Sequence, residues 1–238
     1  TYTKLDVVYG GPTSLAALTT GDANTSGQMG KAGIGFQVTG LPIVNNGLGI
    51  AGTRTADING DGLDDLIIND LNYNTNTTYA GNSAYVVFGK TDSTALALST
   101  LTAGTATTGF RIYDSSAPTT GVVGDVDVVG DFNGDGLSDL VISERTSGTA
   151  WSSGNTGKAW LIYGKTSGTA INLSALAASD GFQIGSGASD LTADPNVTIA
   201  NVTNNNYGVA VAGVGDLNGD GFADLAVTDD THNGSTSK

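Results

Sequence analysis

One fourteen-residue run occurs three times in this chain: DINGDGLDDLIIND from Asp57, DFNGDGLSDLVISE from Asp131 and DLNGDGFADLAVTD from Asp216. Two further landmarks recur in register with it. DVVYGG (from Asp6), YVVFGK (from Tyr85) and WLIYGK (from Trp160) are apolar runs closed by an aromatic residue and glycine. GFQV (from Gly35), GFRI (from Gly109) and GFQI (from Gly181) follow a leucine-spaced stretch in each unit. Self-similarity at a long period is the mark of a repeat array, in which each unit buries its apolar face against its neighbours. The approximate units are 1–84, 85–159 and 160–238, and the Thr/Asn/Ser/Gly stretches at 72–83, 146–157 and 231–237 read as equivalent long loops rather than linkers.

The recurring runs are short, β-branched and bounded by turn residues, so they read as strands. Val209–Gly213 adds another before the third acidic run. The leucine-spaced stretches at 15–18, 96–101 and 171–176 are too short to stand as helices and predict single turns or loops. About four strands per unit predict an all-β chain of β-propeller-type blades. Phe36, Phe110 and Phe182, with Tyr9, Phe88 and Tyr163, are expected in the packing between blades, as are Tyr85 and Trp160. Asp125 and Asp127 are expected to face solvent in a central channel.

Each acidic run places oxygen-bearing residues at alternate positions. Asp57, Asn59, Asp61 and Asp65 stand at positions 1, 3, 5 and 9 of the first, Asp131, Asn133, Asp135 and Asp139 of the second, and Asp216, Asn218, Asp220 and Asp224 of the third. Position 7 (Leu63, Leu137, Phe222) has no ligating side chain and is expected to offer its carbonyl oxygen. Ca²⁺ takes six to eight hard oxygen ligands in a flexible cage, whereas Mg²⁺ keeps waters in a strict octahedron. Three Ca²⁺ sites are therefore expected. A bare hairpin turn, which Asn-Gly and Asp-Gly favour, needs no Asp at positions 1 and 9. An EF-hand needs a bidentate Glu at position 12; here that position is Ile68, Ile142 or Val227, inside a strand.

The D-x-N-G-D-G-x-x-D-L pattern after a V-A-G strand resembles the FG-GAP repeat of integrin α-chain-like β-propellers, three times over. Tyr207-Gly208 stands where that family has Phe-Gly, Leu48-Gly49 and Val122-Val123 depart further, and Thr228-Asp229-Asp230 replaces the Gly-Ala-Pro end. The resemblance implies calcium on the loops between first and second strands, and an extracellular or cell-surface role in adhesion or recognition of a protein or glycan ligand. It names no ligand.

Charge narrows the function classes. Net charge is −14, with only 9 Lys and Arg in 238 residues, so the basic patch that nucleic acid requires is missing and cations are the expected compensating species. No apolar run reaches the ~18 residues of a membrane span, so membrane insertion is not expected. The chain has no cysteine and one histidine, His232, with no nucleophile constellation around it. A catalytic role is not expected, although carboxylates are plentiful enough for two-carboxylate glycosidase chemistry. A lectin is one alternative: Tyr73, Tyr79, Trp151 and His232 lie in polar loops and are candidate ligand-binding residues, with local packing on the blade as the plainer reading. A non-catalytic propeller portion of a secreted hydrolase or lyase is another. The sequons at Asn76, Asn172 and Asn196 are expected in a composition this rich in Asn, Ser and Thr.

The chain opens at a third blade strand and ends after a second, which predicts two half-blades flanking two whole ones. Thr1 in place of Met suggests an excised piece of a longer protein that completes the ring. Self-association through the open blade edges is the other solution.

Overall fold

Within SAYVV and KAWLI every residue but Lys158 is buried. Side chains alternate between faces of a strand, so both faces of these strands must be covered, and the architecture follows from that need. In the computed structural model, residues 3–10, 35–41, 49–51, 56–70, 83–102, 106–115, 121–146, 158–185 and 207–229 are described. Their strands in chain order are β1 (Thr3–Val8), β2 (Gly35–Leu41), β3 (Gly49–Ala51), β4 (Leu66–Asp70), β5 (Ser83–Val87), β6 (Leu96–Ala97), β7 (Gly109–Tyr113), β8 (Gly121–Gly130), β9 (Asp139–Thr146), β10 (Lys158–Ile162), β11 (Ile171–Asn172), β12 (Gly181–Gly185), β13 (Tyr207–Gly215) and β14 (Asp224–Asp229).

Two full blades stand at the centre. The first runs β3-β4-β5-β7 and the second β8-β9-β10-β12, each a meander of neighbouring antiparallel strands. A half-blade of β1 and β2 precedes them and a half-blade of β13 and β14 follows. The chain is thus all-β and built of propeller-type blades, and each full blade draws its strands from two adjacent sequence units.

Alternation along the strands sorts the core into three interfaces. Ala84 and Val86 face the second full blade and meet Leu140, Ile142, Trp160 and Ile162 there. Tyr85 and Val87, on the other face of β5, pack with Phe36 and Val38 of β2. Val141, Ala159 and Leu161 pack with Val211 of β13 and the partly buried Leu225 and Val227 of β14. The expected aromatic core is present: Phe36, Phe88, Phe110, Tyr85 and Trp160 are buried, and Tyr9, Tyr163 and Phe182 are packed at the margins.

The leucine-spaced stretches form single turns, α1 (Leu98–Leu101) and a 3-10 turn at Leu173–Ala175; 15–18 lies outside the described residues. Each turn is entered through a two-residue strand that pairs in parallel with the outer strand of the preceding blade, β6 with β2 and β11 with β7. Leu96, Leu98 and Leu101 are thereby buried between one pair of blades, and Ile171 and Leu173 between the next. The leucines staple each blade to the one before it.

The GF landmark has a steric cause. Gly35, Gly109 and Gly181 open the fourth strands at φ 149, 142 and 143. A Cβ there would lie 1.9, 2.1 and 2.0 Å from the carbonyl oxygens of Val7, Val86 and Leu161 on the third strands. Only glycine allows this crossing.

Candidate metal centres

Each acidic run forms the loop between the first and second strands of its blade. Glycines at positions 4 and 6 have positive φ in all three loops: 77 and 84 at Gly60 and Gly62, 79 and 88 at Gly134 and Gly136, 76 and 95 at Gly219 and Gly221. That curvature turns backbone N–H groups inward, where the side chains meet them. Asp57 Oδ1 accepts from Gly60 N at 2.7 Å and Asp61 N at 3.1 Å, and its Oδ2 accepts from Gly62 N at 2.8 Å. Asn59 Oδ1 accepts from Asp61 N at 2.8 Å, and Asp61 Oδ1 accepts from Leu63 N at 2.8 Å. Asn59 Nδ2 donates to Asp61 Oδ2 at 2.9 Å. The second and third loops repeat this network residue for residue. The Gly221 N–H, with those of Gly219, Asp220 and Asn218, holds the Asp216 carboxyl below its usual range.

Position 9 has a separate task. Asp65 Oδ2 accepts from Ile58 N at 2.8 Å and its Oδ1 from Gly89 N at 2.7 Å. Asp139 does the same with Phe132 N at 2.8 Å and Gly164 N at 2.8 Å. These carboxylates tie the start of the loop to the end of the third strand, which explains why the aromatic–Gly landmark accompanies the acidic run. The sequence pattern marks the landmark but not this bond. Burial pushes both carboxyls up to about 6, against the pull of their N–H donors. An acid raised in the fold binds its proton more tightly folded than unfolded, so these two groups lose stability for the protein as pH rises from ~4 to ~6.

Adjacent loops are joined through their main chains. Ser138 N donates to Asp57 O at 3.1 Å and Ala223 N to Asp131 O at 2.9 Å. The three loops therefore lie side by side at one end of the blades. Asp127 does not simply face a channel: its Oδ2 accepts from Gly213 N of the next blade at 3.0 Å. Asp125 is exposed as expected. Tyr73, Tyr79, Trp151 and His232 lie outside the described residues, as do Asn76 and Asn196.

The donor chemistry suits a hard cation: every side-chain acceptor is oxygen, and positions 1 and 5 are carboxylates in all three loops. Among the described residues no three acidic side chains are gathered as a metal cluster. A cation in such a loop would draw on the two carboxylates, the Asn amide oxygen and the position-7 carbonyl, while both oxygens of the position-9 carboxylate in the first two loops are also held by backbone N–H groups.

Two substitutions separate these tasks. Asp139 is fully buried, and Asp139→Ala strands the N–H groups of Phe132 and Gly164. It should cost about 2–4 kcal/mol with or without calcium. Asp135→Ala should cost under ~1 kcal/mol in chelator and more in calcium. Urea melts of both variants in the two conditions check this; equal calcium dependence would refute the division.

Residues 123–162, which span three strands and the acidic loop of the second full blade, match the FG-GAP repeat family. No curated protein matches the chain.

Proposed function

We propose that this chain is a calcium-binding β-propeller module that acts outside the cell in adhesion, recognition or structural assembly at a surface. The observation that carries the reading is the threefold repetition of one oxygen-lined loop with an identical internal network, in a chain of net charge −14. Backbone N–H groups position the side-chain oxygens at positions 1, 3 and 5, and such preorganisation lowers the cost of binding. The ion supplies positive charge to a loop that carries carboxylates at positions 1 and 5. The loops then brace one end of the blades and leave the opposite end for a ligand. The FG-GAP match supports an extracellular setting, and among the described residues no helix is long and apolar enough to cross a membrane.

Calcium titrated into chelator-stripped protein by calorimetry should give three sites per chain, reduced to two by Asp135→Ala with the fold retained. Absence of binding heat at millimolar calcium would reject the reading.

A further inference from the structure

The two full blades act as moulds for a junction absent from the described residues. In the first, position 2 of the acidic loop is Ile58, 0 % exposed, in one cluster with Val86, Phe88, Phe110, Leu140 and Ile162. Leu217 holds the same position in the third loop and is 75 % exposed. Its matching cavity lies at the far end of the array. A cleft of ≈ 480 Å³ is lined by Val7, Tyr9, Phe36, Leu63, Leu66 and Val87. Five of these are the positional counterparts of the residues around Ile58, and Leu63 is the counterpart of Leu137.

Further mismatches fit the same junction. Val8 is 43 % exposed, whereas its counterparts Val87 and Ile162 are both at 0 %. A Cβ on Gly89 or Gly164 would meet Leu63 Cβ at 2.7 Å or Leu137 Cβ at 2.6 Å, but Gly10, at the same strand end, has nothing within 4 Å. On the loops, Gly60 and Gly134 are closed by Leu137 at 2.7 Å and Phe222 at 2.5 Å, while Gly219 has nothing within 4 Å. Asp65 and Asp139 each bind the glycine N–H of a third strand; Asp224 accepts from Leu217 N, with no such glycine among the described residues.

We infer that the β13–β14 half-blade of one chain docks on the β1–β2 half-blade of a second copy. Carrying over the register of β4–β5 and β9–β10, in which Leu66 and Leu140 face Val87 and Ile162, Leu225 pairs with Val8. Asp229 then stands opposite Lys4, as Glu144 stands opposite Lys158. The strand edge supplies affinity, and Leu217 in its cleft supplies the anchor. The inference rests on the blade architecture and not on calcium, and holds even if the loops bind no ion.

The chain has no cysteine, so a double variant Val8→Cys, Leu225→Cys reports the junction directly, since paired strands bring Cα atoms within disulfide range. Mild oxidation of the 238-residue protein should yield covalent species of two or more 23.8 kDa chains. Sedimentation of the unmodified protein at micromolar concentration should show association. Leu217→Asp, at a site exposed in the single chain, should weaken association at least ~30-fold with unchanged circular dichroism. A chain that stays monomeric, or whose disulfide closes within one chain, overturns the docking.

Discussion

Chelation of calcium should lower the melting temperature by roughly 15–30 °C. Each site at ~100-fold ligand excess adds about 2.7 kcal/mol when only the folded form binds, and three sites sum to ~8 kcal/mol. For a chain of this size each kilocalorie moves the midpoint by roughly 2–4 °C. The structural ground is the pair of carboxylates at positions 1 and 5 of each loop, whose oxygens the backbone N–H groups orient into one turn. Thermal melts followed by circular dichroism in millimolar calcium and in EGTA decide the matter, with magnesium as a control that should restore little. Superimposable melts in calcium and EGTA would remove calcium from the account of stability.

Gly109→Ala should also cost several degrees of melting temperature, less than calcium removal, and be indifferent to calcium. The residue has φ 142, and an added Cβ would lie 2.1 Å from Val86 O. The contact is with backbone in the middle of a blade, so no side chain can turn aside. The backbone penalty and the forced separation of β5 from β7 should cost at least ~3 kcal/mol, or roughly 6–12 °C in melting temperature. Gly40→Ala is the matched control: φ is 80, but the nearest atom to a Cβ is Leu98 N at 3.9 Å, so about 1 kcal/mol is expected. Equal losses for the two variants would show that strand crossing is not what the GF landmark protects.

What could be read from the residues, and what could not, divides along the range of the forces involved. The loops were legible because turn chemistry is local: Asn-Gly-Asp-Gly states its own curvature, and Asp at position 1 lies within five residues of the N–H groups it binds. The four-strand blade was legible for the same reason, each strand being bounded by its own turn residues. Leu96, Leu98 and Leu101 announced a short turn, but not that Leu96 and Ala97 step out to pair in parallel with the previous blade. That pairing is decided 58 residues away, where Leu96 meets Val38 and Ala97 meets Thr39. Asp139 carried the same ambiguity. Its spacing marks it as a ligand, while its burial and its bond to Gly164 N depend on a strand 25 residues downstream. Asp127 looked like a solvent-facing acid because its partner, Gly213 N, is 86 residues away.

The main-chain bonds that run from Ser138 to Asp57 and from Ala223 to Asp131 have a consequence for how disturbances spread. Each acceptor is the carbonyl of the residue whose carboxylate organises its own loop, so neighbouring loops share a peptide group. Loop one has no described bond of this kind to loop three. The array then behaves as a one-dimensional lattice with nearest-neighbour coupling: disorder in the third loop reaches the first only through the second, weakened at each step. The middle loop, with a described bond to a neighbour on either side, is the stiffest point of the lattice within one chain.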